Sequence, residues 1–175
     1  MLLTELPFGL PGRIFRCPMP FSHYDPQGDV IRELAEQAVD IVVILAEAEE
    51  WRAVIGQDLP TLYRRKGIQV MAFPIPDYGV PSKTELEQML TRTIQLAGTG
   101  YHIAIHCYAG IGRTGLVAAC LAKAVLGLSG QGALQWVRRY IPGAVESPVQ
   151  LQMVLDDDAN FSAPCQKPPP MRVSG

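Results

Sequence analysis

Short apolar runs alternate along the chain with segments whose apolar residues recur at helical spacing. The runs are rich in β-branched residues, as in strands buried on both faces of a parallel sheet, and they cover residues 40–46, 68–73 and 101–107. Helical spacing follows residue 82, where Ser82 and Glu85 form a capping-box pattern, and recurs over 29–38, 113–127, 130–141 and 147–158. The alternation predicts an α/β fold, a three-layer sandwich with a central, mostly parallel sheet flanked by helices.

Length and composition favour a single domain. The 175 residues suit one folding unit, which we place at residues 1–161. Residues 162–175 include four prolines and no periodic pattern, so we predict a Pro-rich, disordered tail there.

Charge and hydropathy exclude several classes of protein. The net charge is −2, whereas nucleic-acid binders usually carry a basic excess. The longest apolar stretch, residues 116–128, is too short to cross a bilayer. The four cysteines form no C-x-x-C pair, which favours a reduced compartment. We therefore expect a cytoplasmic protein without nucleic-acid or membrane partners, and its oligomeric state is not predicted.

The loop after the strand at 101–107 combines a thiol with features that bind anions. The sequence HCYAGIGRTG begins at His106, so Cys107 ends the strand and a helix starts about six residues later. Gly110 and Gly112 allow successive N–H groups to turn inward, which creates an anion site at the helix N-terminus. Such a site lowers the pKa of a thiol at its centre. Arg113 can add a planar fork that matches two phosphate oxygens, and this arrangement favours attack by sulfur on a phosphate ester.

The loop sequence has two alternative interpretations. Gly110-Ile-Gly112-Arg-Thr-Gly115 fits the dinucleotide pattern G-x-G-x-x-G, but that pattern needs an acidic residue about 20 positions later. The segment between Gln88 and Val145 has no acidic residue. Alternatively, Cys107 is a buried structural thiol. The combination with Arg113 and two glycines favours the nucleophile.

The segment His106-Cys107-x5-Arg113-Thr114-Gly115 resembles the signature of the cysteine-dependent protein tyrosine and dual-specificity phosphatases, and is most similar to their kinase-associated phosphatase branch. The resemblance implies a protein-tyrosine-phosphatase-like fold and a phosphocysteine intermediate at Cys107. It also implies that the Thr114 hydroxyl eases departure of the thiolate and that His106 supports the loop. The implied phosphate-binding residues are Cys107, Tyr108, Ala109, Gly110, Ile111, Gly112 and Arg113.

A general acid and a water-positioning residue complete the predicted site. Asp77 lies in a Pro/Gly-rich loop after the second predicted strand, and it resembles the acid of this superfamily; the alternative is a turn aspartate that binds loop amides. Gln150 resembles the superfamily's water-positioning glutamine. The alternative, compatible with the first, is a helix start with Ser147 as N-cap and Pro148 at the first position. No metal or cofactor is expected.

These residues predict a metal-independent phosphatase of phosphorylated proteins or peptides. The variable loop residues Tyr108, Ala109 and Ile111 are uncharged, which favours phosphotyrosine over a polyphosphate, with phosphoserine and phosphothreonine also open. The alternatives are an inositol or lipid phosphate phosphatase and a phosphopeptide-binding module without turnover. A redox role for Cys17 or Cys165 stays open.

Overall fold

The computed structural model describes residues 1–156, and in that range the chain forms five strands and seven helices. The strands are β1 (Thr4–Leu6), β2 (Ile14–Arg16), β3 (Ile41–Ile44), β4 (Gln69–Ala72) and β5 (Ile103–His106). The helices are α1 (Asp29–Glu36), α2 (Ala48–Ile55), α3 (Leu59–Arg65), α4 (Lys83–Gly98), α5 (Gly112–Leu126), α6 (Gly130–Tyr140) and α7 (Pro148–Leu155).

All five strands form one sheet in the order β1-β2-β5-β3-β4. Only β1 runs antiparallel to its neighbour, and the other pairings are parallel. In the register, Arg16 lies opposite Ile105 and Ile44 lies opposite His106. Because β2, β3 and β5 run the same way, their carboxyl ends meet at one edge of the sheet, where α/β proteins usually bind ligands.

Helices cover both faces of this sheet, and each face has its own apolar core. The core on one face joins β2, β3 and β5 to α1, α2 and α3, through side chains such as Leu34, Trp51 and Tyr63. The core on the opposite face joins the sheet to α4, α5, α6 and α7. Helix α5 is buried along most of its length, which explains why its sequence is apolar on nearly every side. The predicted three-layer α/β sandwich is confirmed.

The predicted strands and helices all form, with shifted ends. Ser82 caps α4, and its side chain and that of Glu85 form the predicted capping box. The last predicted helix, 147–158, extends over Pro148–Leu155, with Ser147 as its N-cap. The structure adds four elements that the pattern did not predict, namely β1, β2, α2 and α3. The predicted tail at 162–175 and Cys165 lie outside the described residues. Within residues 1–156, no helix is long and apolar enough to cross a membrane.

Candidate active site

Residues 107–113, called the 107–113 loop below, connect β5 to α5 at the carboxyl edge of the sheet. Helix α5 begins without a side-chain cap, since its N-cap residue is Ile111. Among the described residues, none accepts a hydrogen bond from the backbone N–H groups of residues 108–113. Backbone donors are seldom left unpaired. Consecutive free donors at a helix N-terminus are typical of anion sites.

Glycine is required in the loop for conformation and for space. Gly110 has a φ of 73°, in the left-handed region, and a Cβ there would overlap the carbonyl oxygen of Cys17. A Cβ at Gly112 would overlap the carboxylate of Glu146, which lies across the start of α5. The loop is therefore packed closely between the residues that follow β2 and the segment that precedes α7.

Arg113 is held by groups from two other parts of the chain. Its side chain is only 2% exposed. Nη1 donates to Glu50 Oε2 at 2.6 Å and to the carbonyl oxygen of Ile75 at 3.0 Å, and Nη2 donates to Glu50 Oε1 at 2.7 Å. This bidentate pair fixes the guanidinium plane. Burial acts to raise the pKa of Glu50, but the hydrogen bonds from Arg113 and from the Glu47 backbone, together with the Arg113 charge, bring it below its ordinary value.

One edge of the guanidinium forms no hydrogen bond to a described residue and carries only an ion pair with Asp77. Nε and the second N–H of Nη2 donate no hydrogen bond to a described residue, and these are the two donors that a bidentate phosphate contact uses. Asp77 Oδ1 lies 3.1 Å from Nη2. Burial acts to lower the pKa of Arg113, but Glu50, Cys107 and Asp77 together raise it above its ordinary value. The guanidinium therefore stays charged.

Cys107 and His106 are buried at the end of β5. Cys107 is 3% exposed, and the His106 side chain is fully enclosed. His106 Nδ1 lies 2.8 Å from the carbonyl oxygen of Cys107, and Nε2 lies 2.9 Å from the hydroxyl of Tyr63. Burial lowers the pKa of His106 to about 4, and the nearby Arg113 charge acts in the same direction. At neutral pH a neutral imidazole thus braces the backbone beneath the thiol.

The Thr114 hydroxyl is buried in the first turn of α5 and has no hydrogen-bond partner among the described residues. An unpaired buried hydroxyl is costly, so its presence needs a reason. The predicted role beside the thiolate would supply one.

Asp77 is far more exposed than Arg113, since 61% of its side chain is accessible to solvent. It follows β4 by five residues, rather than ending that strand. Its loop is attached to α7, because Ser147 Oγ donates to the carbonyl oxygen of Tyr78 at 2.6 Å. Tyr78 itself has a φ of 56°, a strained value for a non-glycine residue that is common at functional sites.

Gln150 is 1% exposed and makes bonds through both ends of its amide. Oε1 accepts from the backbone N–H of Glu146 at 3.0 Å, and Nε2 donates to the carbonyl oxygen of Gly79 at 3.1 Å. The structure thus brings Gln150 to the loop that contains Asp77 and Gly79, and its side chain joins α7 to that loop. Water positioning by Gln150 stays a prediction.

Two carboxylates that lie at the site, Glu50 and Glu146, are not predicted as site residues by the sequence. Glu50 holds Arg113 from a distance of 63 residues along the chain, and Glu146 lies over Gly112. The available signal for the first was weak: Glu47 and Glu50 form a capping box at the start of α2, with Glu in place of the usual Ser or Thr. Nothing in that pattern points to an arginine elsewhere.

The fold and the 107–113 loop define a phosphatase of the dual-specificity and tyrosine class, and comparison with known proteins gives the same class. The family "Tc-R-P: Polymorphic toxin system, DSP-PTPase phosphatase" matches residues 21–125, and the chain belongs to it. The resemblance to cysteine-dependent phosphatases is therefore confirmed.

Individual relatives agree with this assignment. The chain is 33% identical over 105 residues, 60% of its length, to protein tyrosine phosphatase domain-containing protein 1 of Danio rerio, of which it spans 14%. It is 32% identical to Tk-PTP, whose active form has been crystallised; the match covers 88% of this chain and 95% of the other, with a TM-score of 0.71. The crystal structure of kinase-associated phosphatase with a substituted catalytic cysteine has a TM-score of 0.79 at 22% identity, covering 87% and 90% of the chains. The similarity to the kinase-associated branch is confirmed.

Proposed function

We propose that the protein hydrolyses phosphate monoesters on proteins through a phosphocysteine intermediate. The observation that carries this proposal is the convergence of free backbone donors, the Arg113 edge that faces only Asp77, and the Cys107 thiol at one end of the sheet. Preorganised donors of this kind stabilise charge that develops on transferring phosphoryl groups. The Glu50 pair contributes by fixing the guanidinium before substrate arrives.

In the first step the Cys107 thiolate attacks phosphorus. The S–P bond forms while the bond from phosphorus to the ester oxygen breaks, and the electron pair leaves with that oxygen. Asp77 in its protonated form donates a proton to the departing oxygen. Its carboxylate lies near Arg113, at the edge where the phosphoryl oxygens would bind, which supports this role.

In the second step water replaces the sulfur. Asp77, now a carboxylate, takes a proton from a water molecule, whose oxygen attacks phosphorus as the S–P bond breaks. Cys107 leaves as a thiolate, and the buried Thr114 hydroxyl donates a hydrogen bond to it. Gln150 lies in the first turn of α7, and one N–H of its Nε2 donates to Gly79. The second N–H of Nε2 holds the attacking water in this mechanism.

Phosphotyrosine is the substrate that best suits the surroundings. The loop residues Tyr108, Ala109 and Ile111 bring no charge, and Tyr24 stacks edge to face on Tyr108 with ring centroids 6.0 Å apart. Tyr24 and Tyr78 are both exposed, and Tyr78 directly follows Asp77. Aromatic side chains around an anion site favour an aromatic ester on a peptide.

Turnover of p-nitrophenyl phosphate in the presence of a chelator tests the chemistry. Cys107→Ser should reduce turnover to background, because a serine hydroxyl is not ionised there at neutral pH, yet the variant should still bind a phosphopeptide. The matched control Cys120→Ser removes another buried thiol, in the middle of α5, and should keep activity. A Cys107→Ser enzyme with a tenth of the wild-type rate would contradict the mechanism.

The substrate class needs a separate comparison. We expect kcat/KM to be higher for a phosphotyrosine peptide than for a phosphothreonine peptide and a phosphoinositide in the same buffer and salt. A phosphoinositide preferred by tenfold or more would overturn the protein substrate and leave the cysteine chemistry intact.

A further inference from the structure

A pocket adjoins the 107–113 loop on the side of β2. Its volume is about 250 Å³, below the range of sites that enclose a whole small molecule and large enough for a side chain. The 107–113 loop contributes Ala109 and Ile111 to its wall. The remaining lining comes from the first residues of the chain, from the end of β2 and from the turn after α6, and includes Leu2, Arg16, Pro18, Tyr24, Ile141 and Pro142.

Arg16 is the only formally charged side chain among these lining residues. Among the described residues its guanidinium forms neither a salt bridge nor a hydrogen bond, and its Nε is buried without a partner. The neighbouring Arg13, by contrast, donates to Glu5 from both Nε and Nη2. Burying an unpaired charged donor is unfavourable, so a ligand that accepts from it would gain more than on an exposed arginine.

Topology places Arg16 beside the predicted nucleophile. It ends β2 directly opposite Ile105 of the parallel strand β5, two residues before Cys107. The backbone N–H of Met19 donates to the carbonyl oxygen of Tyr108 at 2.9 Å, so the segment after Arg16 is attached to the 107–113 loop. Burial lowers the pKa of Arg16, and a negative charge on the neighbouring Cys107 opposes this shift.

We propose that Arg16 and this pocket form a subsite for a second anionic group of the phosphopeptide substrate, a carboxylate or a second phosphoryl group close in sequence to the phosphorylated residue. The planar arginine fork fits both groups. This inference rests on the proposed function, because it assigns the pocket to the same substrate.

The apolar lining favours a peptide over a sugar headgroup. Leu2, Pro18, Ile141 and Pro142 offer no side-chain hydrogen bonds to ring hydroxyls, but they can contact the methylene groups of a glutamate. A single arginine compensates one extra anion. An inositol polyphosphate would need several cations.

The test uses phosphotyrosine peptides with glutamate, glutamine or phosphoserine placed in turn at the two positions on either side of the phosphotyrosine. We expect wild-type kcat/KM to be about tenfold higher with glutamate or phosphoserine than with glutamine at one of these positions. The two anionic peptides show which anion is preferred. Arg16→Met keeps the length of the side chain and should reduce this ratio to near one, whereas Arg16→Lys should retain part of it.

Arg13→Met is the matched control, since Arg13 lies three residues away on the same segment and is already paired with Glu5. It should leave the ratio unchanged. Thermal unfolding of each variant shows that the fold is kept, and the ratio within one variant cancels any general effect of Arg16 on Cys107.

The outcomes are distinguishable. If the wild-type protein turns over p-nitrophenyl phosphate but does not prefer an anionic neighbour, or if Arg16→Met keeps the preference, the subsite is overturned and the proposed function is not. If p-nitrophenyl phosphate is not hydrolysed, the proposed function fails and this inference fails with it. A phosphoinositide advantage that Arg16→Met abolishes would assign the pocket to a headgroup and overturn the peptide assignment.

Discussion

Arg113 and Asp77 carry opposite charges in one candidate site and lie in opposite environments. Arg113 is 2% exposed and bonded to Glu50 and Ile75, whereas Asp77 is 61% exposed on a loop attached to α7 by Ser147. In the proposed mechanism, Arg113 and Asp77 both act on the same substrate phosphate. The position of Arg113 is already fixed in the folded structure, whereas the position of Asp77 depends on its loop.

In the proposed mechanism, the difference in exposure follows from the different task of each side chain. A group that stabilises charge works best when it is fixed in advance, so that no reorganisation accompanies the reaction. A general acid must exchange protons with water between turnovers, which requires access to solvent. The bidentate Glu50 pair meets the first need, and the exposed loop of Asp77 meets the second.

Of these two residues, Arg113 should reduce kcat/KM more when it is replaced. In Arg113→Lys we expect kcat/KM to fall by about 10²–10³-fold, because an ammonium cannot bind Glu50, the Ile75 carbonyl and two phosphoryl oxygens in one plane. Steady-state kinetics with p-nitrophenyl phosphate measure this. Arg139→Lys, near the end of α6, is the control that keeps activity. A loss below tenfold in a folded Arg113→Lys enzyme would show that the loop amides suffice.

Replacing Asp77 should have a smaller effect that depends on the substrate. In Asp77→Asn we expect kcat to fall about 10²-fold for a poor leaving group such as an alkyl phosphate, and less for p-nitrophenyl phosphate, whose oxygen departs without a proton. Glu146→Gln removes the other carboxylate beside the loop and is the matched control. Equal losses for both esters in Asp77→Asn would assign the acid elsewhere, and a leaving-group effect in Glu146→Gln would assign it to Glu146.

The parts of this site that are local in sequence could be predicted from it. Cys107 and Arg113 lie in one seven-residue loop, so their spacing alone indicates that they meet. Strands β3 and β5 could likewise be predicted, because their sequences belong to short apolar runs rich in β-branched residues, and every residue in them is buried. The capping box at Ser82 is a local pattern too, and it was found.

The parts that depend on the sheet could not be predicted. Strands β1 and β2 have three residues each, too few for a pattern, and their pairing with β5 stabilises them. Since β2 was missed, Arg16 could not be placed beside Cys107. Glu50 was missed for a related reason: the order β5-β3 brings the segment after β3 to the 107–113 loop, and no spacing in the chain records that neighbourhood.

Replacing Glu50 tests how much its ion pair with Arg113 contributes to the stability of the fold. Glu50→Gln keeps the shape but removes the charge that pairs with Arg113, so we expect the free energy of unfolding to fall by about 1.5–3 kcal/mol. Because the pKa of Glu50 is lowered in the folded protein, this contribution is present above its ordinary pKa and is lost as the pH falls through the lowered one. Urea unfolding at neutral pH measures the loss, with Glu49→Gln, an exposed neighbour on α2, as control. An unchanged stability would contradict a structural role for the pair.

The smallest effect predicted at neutral pH concerns the neutral His106 beneath the thiol, whose contribution to stability changes only as the pH falls. Its pKa is about 4 in the folded protein against about 6.5 when unfolded, so between these values the unfolded chain binds more protons. The stability that the neutral His106 contributes is therefore fully present above pH 6.5. It falls by about 1.4 kcal/mol per pH unit as the pH drops toward 4. Urea unfolding from pH 7 to 4.5 measures how the free energy of unfolding depends on pH. We expect a weaker dependence in His106→Gln than in the wild-type protein, and an unchanged dependence in the exposed control His23→Gln. An identical slope in His106→Gln and the wild-type protein would mean that acid sensitivity originates elsewhere, and the Tyr63–His106 hydrogen bond would then have no part in it.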